Sequence, residues 1–227
     1  MQHDSERPYS LLLPYGLDYQ GGVVLFSDAE HPFLRILCGG TIINTNLVGS
    51  YNADNVMAAI AVGVHFGVSF EDAVKAIEAY VPANKRSQMT KTERNTLIVD
   101  AYNANPTSMA AALENFSNVA AECKVALLGD MLELGDESVA EHVAVIKSAC
   151  SRGLAHVYFV GKEFQSASGA LASELGAAPA GQMLSAAHFF TTSDDLAAHL
   201  ASEQLSGATI LIKGSRGTRM ENVIPVL

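Results

Sequence analysis

The sequence predicts an α/β fold: a doubly wound, Rossmann-like domain over residues 84–227, preceded over residues 1–83 by a different unit that ends in helices. Three observations predict it. After a polar stretch from Pro82 to Asn95, short apolar segments alternate with helical ones to the end of the chain. Those segments are apolar throughout, as in Val125-Ala126-Leu127-Leu128. That pattern belongs to parallel strands covered on both faces, not to a sheet with one wet face. The first part has another texture, with short β-like runs to about residue 46 broken by Gly, Pro and Asp, then two amphipathic helices.

In the first unit Ser10–Pro14, Gly22–Phe26, Phe33–Cys38 and Thr41–Asn44 read as strands. Asn52–His65 carries Val56, Ala59, Ile60 and Val64 at helical spacing. Phe70–Tyr80 repeats the pattern, with Ser69 placed to cap it ahead of Glu71 and Asp72. Pro82 stops that helix, because its ring has no N–H and collides with the preceding turn. In the second unit the strands are Thr96–Asp100, Lys124–Gly129, His156–Val160, His188–Phe190 and Ala208–Lys213. The helices that follow them are Thr107–Val119, Glu137–Ser151, Glu163–Leu175, Ser193–Ser202 and Thr218–Val226. The Ala/Gly-rich run from Ser166 to Ala187 reads as helix plus surface loop.

Composition narrows the function classes. With 227 residues, 49% of them hydrophobic and 17% charged, the chain has the make-up of compact globular domains. A net charge of −10 without any Lys/Arg run argues against nucleic acid. A small anion remains compatible, because local amides and one or two cations outweigh a net charge spread beyond a screening length of about 8 Å. The three cysteines, Cys38, Cys123 and Cys150, form no CxxC pair and are odd in number. That argues against a disulfide framework or a zinc site and for a reducing compartment. No metal ligands are assigned. The start, MQHDSERPYS, lacks the layout of a signal peptide, and no apolar run approaches the roughly 18 residues of a membrane span. The expectation is a soluble, cytoplasmic protein that does not engage membranes.

Doubly wound sheets collect ligands at the carboxyl ends of their strands. That rule selects Asp100, Gly129-Asp130 and Lys213-Gly214-Ser215. In Asp100-Ala101-Tyr102-Asn103-Ala104-Asn105-Pro106 the carboxylate suits a sugar's vicinal hydroxyls, and Tyr102, Asn103 and Asn105 offer further polar contacts. The plainer account is a loop in which Asn105 or Thr107 caps the next helix. In Gly129-Asp130-Met131-Leu132-Glu133-Leu134-Gly135 the two acids could hold a cation or amine, or be simply solvated; His142 behind them reads as a satisfied structural histidine. In Lys213-Gly214-Ser215-Arg216-Gly217, two glycines, two cations and a following helix start suit an anion. Its plainer account is a turn with surface cations. In Gly49-Ser50-Tyr51-Asn52-Ala53-Asp54-Asn55 an Asn amide offers the paired donor and acceptor that match an adenine edge; its plainer account is an asparagine near a helix start, where the residue is common. Arg86, in Asn84-Lys85-Arg86-Ser87-Gln88, stands at the boundary between the units, where it could reach a nucleotide or belong to a solvated linker.

Taken together and in this order, these segments resemble the Mur ligase family over about Gly49 to Glu221. The specific elements are DAYNANPTSM (Asp100–Met109), LLGDMLELG (Leu127–Gly135) and KGSRGTRME (Lys213–Glu221). The family's H-N-x-x-N stands here with Tyr51 in place of histidine, and its GRxQ with Lys85 in place of glycine. Within the family the resemblance is closest to the branch that adds D-Ala-D-Ala to UDP-MurNAc-tripeptide. It implies that residues 1–83 are the C-terminal part of a central ATPase domain and residues 84–227 the C-terminal Rossmann-like domain. It implies ATP and Mg2+ as cofactors, with Asn55 on adenine, Arg86 near the nucleotide, Asp100 on the ribose, and Tyr102, Asn103 and Asn105 lining the cleft. Lys213, Ser215 and Arg216 would position the incoming dipeptide. The implied reaction is ATP-driven amide formation through an acyl phosphate.

The Walker A pattern, G-x-x-x-x-G-K-[ST], is absent from the sequence. The phosphate-gripping loop, the magnesium ligands and the nucleotide-sugar domain are expected ahead of Met1, so the chain alone is expected to be inactive without an N-terminal half. Three rival readings compete. One is another ligase of the superfamily, such as the diaminopimelate-adding enzyme, the lysine-adding enzyme or folylpolyglutamate synthase. KGSRG argues against the first two, which carry a G-K-G-H-E-like segment at that place. Another is a nucleotide-binding module without turnover. The third, a redox Rossmann enzyme, is disfavoured because no G-x-G-x-x-G follows the first strand.

Overall fold

The structure, a computed structural model, describes residues 13–25, 33–82 and 88–227. Its first part holds an antiparallel sheet of β1 (Val23–Leu25), β2 (Arg35–Cys38) and β3 (Thr41–Asn44), in that spatial order. Gly39 and Gly40 close the β2–β3 hairpin with φ of 57° and 80°. Two positive φ values are what a tight I′ turn demands, and a side chain would strain them. Beside the sheet lie α1 (Leu17–Gln20), α2 (Ala53–His65) and α3 (Phe70–Ala79). Leu34, Ile36 and Ile43 pack there against Val56, Met57 and Ile60 of α2 and Val74 of α3. Ser69 caps α3 as expected, accepting from the amide of Asp72.

The second part is a six-stranded sheet in the order β4-β5-β9-β6-β7-β8. Its strands are β4 (Gln88–Lys91), β5 (Thr96–Asp100), β6 (Lys124–Gly129), β7 (His156–Val160), β8 (Ala187–Phe190) and β9 (Thr209–Lys213). All pair in parallel except β4. On one face lie α4 (Pro106–Asn118), α5 (Ser138–Cys150) and α6 (Lys162–Leu175), packed through Leu113, Phe116, Ile146 and Phe164. The short α7 (Ala177–Met183) follows α6. On the other face, α8 (Ser193–Glu203) and a terminal 3-10 segment, Met220–Val226, pack through Leu196, Leu200, Met220 and Val223. Helices thus cover both faces, as the apolar strands require.

The winding places the crevices. From β5 through β6 and β7 to β8 the chain advances across the sheet, then returns by α8 on the opposite face to insert β9 between β5 and β6. Chains leaving the carboxyl ends of β5 and β9 therefore part to opposite faces, and so do those leaving β7 and β8. Such divergence opens a crevice at the strand ends.

Four expectations change. Strand β4 lies inside the polar stretch that reads as a boundary. It is an edge strand, and an edge strand with polar residues leaves no apolar signal. The expected helix over Thr218–Val226 is instead two 3-10 turns, Arg216–Thr218 and Met220–Val226, separated by Arg219 at φ 51° and carrying Pro225, which lacks an N–H. The expected loop after α6 is mostly α7, set off by Gly176 at φ 82°. Of the expected strand at Ser10–Pro14, residues 10–12 lie outside the described residues, and Leu13 and Pro14 are not in a strand.

Candidate functional site

The site begins with strand register. Asp100 ends β5 and Lys213 ends β9, and the two are direct partners in the parallel ladder. Partners across a ladder send their side chains to the same face. The Lys213 ammonium meets Asp100 Oδ2 at 2.6 Å, with Lys213 only 1% exposed and Asp100 9%. Lys213 also donates to the carbonyl of Asn103 at 3.3 Å. A buried charge holds its place only when paired and hydrogen-bonded, and this pair is both.

Around Asp100 opens a cleft of about 290 Å³ lined by Tyr51, Asn52, Asn55, Asp100, Tyr102, Asn103, Asn105, Ser108 and Lys213. It brings together six of the residues expected from sequence: Asn55, Asp100, Tyr102, Asn103, Asn105 and Lys213. Asn55 stands on the first turn of α2 and donates to Asn52 Oδ1 at 3.4 Å. Asn103 accepts on its side chain from the amide of Ala104 at 2.9 Å. Asn105 caps α4. Its Oδ1 accepts from the amide of Ser108 at 2.8 Å, and its own amide donates to Ser108 Oγ at 3.1 Å. The capping account of Asn105 is therefore part of what its side chain does.

The remaining expected residues sit differently. The Arg216 guanidinium lies 6.0 Å from the centre of the Tyr102 ring, at the exposed rim. Ser215 is 3% exposed; its Oγ accepts from the amide of Leu132 at 3.0 Å and lies 3.4 Å from the carbonyl of Ala104. Its hydroxyl thus ties together the loops after β5, β6 and β9. Arg86, with the rest of residues 83–87, lies outside the described residues. Sequence reasoning passed over Tyr51 as a mere departure from a motif and did not single out Ser108. Both line the cleft.

A second cleft, about 420 Å³, opens where the chains leaving β7 and β8 diverge, with Asp130, Lys162, Thr192, Asp194 and Arg219 among its walls. Asp130 is held there by structure. Its two carboxylate oxygens accept from the amides of Glu163 and Phe164, both at 3.0 Å, at the start of α6. Burial pushes its carboxyl above the usual range, and those two amides pull the other way. His142 Nε2 accepts from the amide of Met131 at 3.0 Å, which assigns the ring proton to Nδ1, 2.7 Å from the carbonyl of Ser138. Among the described residues no group of three or more His, Cys, Asp or Glu side chains converges as metal ligands would. No helix among them is long and apolar enough to cross a membrane.

The profile described as Mur ligase, glutamate ligase domain matches residues 85–216. The chain is 32% identical over 230 residues to the UDP-N-acetylmuramoyl-tripeptide–D-alanyl-D-alanine ligase of Treponema pallidum, covering 99% of this chain and 48% of that protein. The Escherichia coli enzyme of the same name is 35% identical over 199 residues, covering 86% of this chain and 40% of its own. A crystal structure of MurF from Acinetobacter baumannii superposes with a TM-score of 0.71 at 29% identity, over 85% of this chain and 41% of that one. MurF from Thermotoga maritima, solved in complex with ADP, shares the fold with a TM-score of 0.66 at 18% identity, over 90% of this chain and 45% of that one. The chain thus spans about half the length of the curated relatives it matches. With the family profile matching residues 85–216 and a relative 32% identical over 99% of its length, this chain belongs to the Mur ligase family.

Proposed function

We propose that this chain is the C-terminal half of an ATP-dependent amide ligase that joins D-alanyl-D-alanine to a UDP-N-acetylmuramoyl-tripeptide. One observation carries the reading. A buried carboxylate, Asp100, has one oxygen held by Lys213 and stands in a polar cleft shared by residues from two parts of the chain. That arrangement suits a nucleoside. Asp100 accepts the ribose hydroxyls, Asn55 faces the adenine edge, and Tyr102, Asn103 and Asn105 line the walls. Residues 1–83 are then the C-terminal part of the central ATPase domain and residues 84–227 the C-terminal domain, with Arg86, by the same family resemblance, assigned to the nucleotide.

The dipeptide falls to the loop after β9. Lys213 and Ser215 are buried and engaged, so they shape that loop and support Arg216, whose exposed guanidinium meets the dipeptide carboxylate. ATP supplies the activation in the proposed reaction, converting the tripeptide carboxylate to an acyl phosphate that the dipeptide amine then displaces. The residues of this chain bind and orient; holding reactants in line is a large part of such catalysis. Among the described residues no carboxylate cluster converges as a magnesium site would, so none of them is given the metal. Since the sequence also lacks a Walker A loop, the reading expects this chain to be inactive without an N-terminal half.

The test is phosphate release from ATP with UDP-muramyl-tripeptide, D-Ala-D-Ala and magnesium, by the chain alone and with an N-terminal half from a relative added in trans. Turnover only on complementation is the expected result. Turnover by the chain alone overturns the placement of the phosphate site. Silence in both, with a folded chain and an active full-length control, replaces the ligase reading with a nucleotide-binding module.

A further inference from the structure

The Asp100 carboxylate is held from two sides. Lys213 reaches Oδ2 from the neighbouring strand, and the Tyr51 phenol donates to the same oxygen at 3.4 Å from the first part of the chain. Oδ1 carries no hydrogen bond from the described residues. Two donors on one oxygen fix the plane of a carboxylate and leave its other oxygen to face the cleft. Tyr51 is itself well anchored. It sits in a 3-10 turn, Ser50–Asn52, whose Ser50 amide and hydroxyl both donate to Asn115 Oδ1 of α4, at 3.3 and 2.9 Å. The preceding Val48 is buried in the core beneath α4. At Gly49, with φ 92°, any side chain would enter the Tyr51 ring. The turn is therefore shaped to hold this phenol against Asp100.

We infer that Tyr51 is a positioning residue that, opposite Lys213, orients Asp100 to receive a vicinal diol, so that docking of the Ser50–Asn52 turn on α4 is coupled to recognition of the ribose. The inference rests on the nucleotide reading above and gives the substituted position in the H-N-x-x-N-like segment a task. Credited with no more than the ordinary net contribution of a single hydrogen bond, this long contact corresponds to roughly five-fold in affinity. That gain reaches the ligand only through its hydroxyls, which separates positioning from general support of the fold.

The experiment is equilibrium binding of ADP and of 2′,3′-dideoxy-ADP to the full chain by titration calorimetry. It compares wild type, Tyr51→Phe and Asp100→Asn, with circular dichroism confirming that each is folded. Wild type is expected to prefer ADP about ten-fold, and Asp100→Asn to abolish the preference. Tyr51→Phe is expected to weaken ADP about five-fold while leaving the dideoxy analogue unchanged. Equal weakening of both ligands, or of neither, overturns the role of Tyr51 while the nucleotide reading stands. A wild type that fails to bind ADP at millimolar concentration, or binds both ligands alike, overturns the diol reading and this inference with it.

Discussion

Asp100 and Lys213 face each other across the β5–β9 ladder and meet at 2.6 Å, at the point where the chains leaving those strands diverge. Register alone brings them together, so the pair forms wherever the sheet forms. Its energetics follow from burial. Lys213→Met removes the cation and leaves a buried carboxylate uncompensated, at a cost of about 3–5 kcal/mol. Adding Asp100→Asn removes the stranded charge, so the double variant is expected to be more stable than the two single losses added together predict. Urea denaturation of wild type, both single variants and the double variant measures this. Simple additivity would mean that the two groups do not interact in solution.

Asn105 is the N-cap of α4 within a reciprocal capping box. Asn105→Ala strips the amide of Ser108 of its acceptor and is expected to cost about 1 kcal/mol, while Asn105→Asp, which keeps an acceptor there, restores most of it. Thermal or urea unfolding reads both. An alanine variant as stable as wild type would show that the cap contributes nothing and would free the side chain for a purely ligand-facing role.

The alternation of apolar strands and helices, and the polar residues at the ends of β5, β6 and β9, were legible because periodicity and apolar runs follow directly from burial on both faces. Strand β4 was not. Gln88-Met89-Thr90-Lys91 is an edge, and its place is set by pairing with β5 rather than by its own pattern. The same holds within the site. Asp100, Asn103 and Asn55 were readable by residue type and position, and they line one cleft. That Lys213 and Ser215 are buried, one in an ion pair and one bridging three loops, depends on register and loop packing. So does the hold of Tyr51 on Asp100, which spans 49 residues of sequence.

Gly161 stands between β7 and α6 at φ 125°, and a Cβ there would collide with the Asp130 carboxylate. Gly161→Ala is therefore expected to displace Asp130 from the amides of Glu163 and Phe164. Strain at the positive φ and two released helix donors together make this one of the costlier single substitutions in the chain, at about 2–4 kcal/mol. Asp130→Ala loses the same two bonds without the strain and is expected to cost less. Urea midpoints of the two variants rank them, and the reverse order would assign the energy to the carboxylate and not to the backbone.

His188 on β8 stacks on Tyr158 of β7 with ring centres 4.8 Å apart, and its Nε2 lies 3.4 Å from Nδ1 of His156. Burial, then the neighbouring His156, holds its pKa below the ordinary histidine value of 6.5, with His199 adding to the effect and Glu203 opposing it. The sign follows from linkage. Above pH 6.5 the ring is neutral in both folded and unfolded chains and contributes no pH dependence. As pH falls below 6.5 the unfolded chain takes up the proton first, so stability falls, until the folded-state value is passed and the loss is complete. His188→Phe keeps an aromatic ring on Tyr158 and removes the titration. Its urea midpoint is expected to lie close to wild type at pH 8 and to fall less steeply between pH 6.5 and 5. Since the ring is partly exposed, solvent screening keeps the difference small, and the comparison of slopes is the decisive reading. Identical slopes for the two proteins would show that the acid sensitivity does not arise at His188.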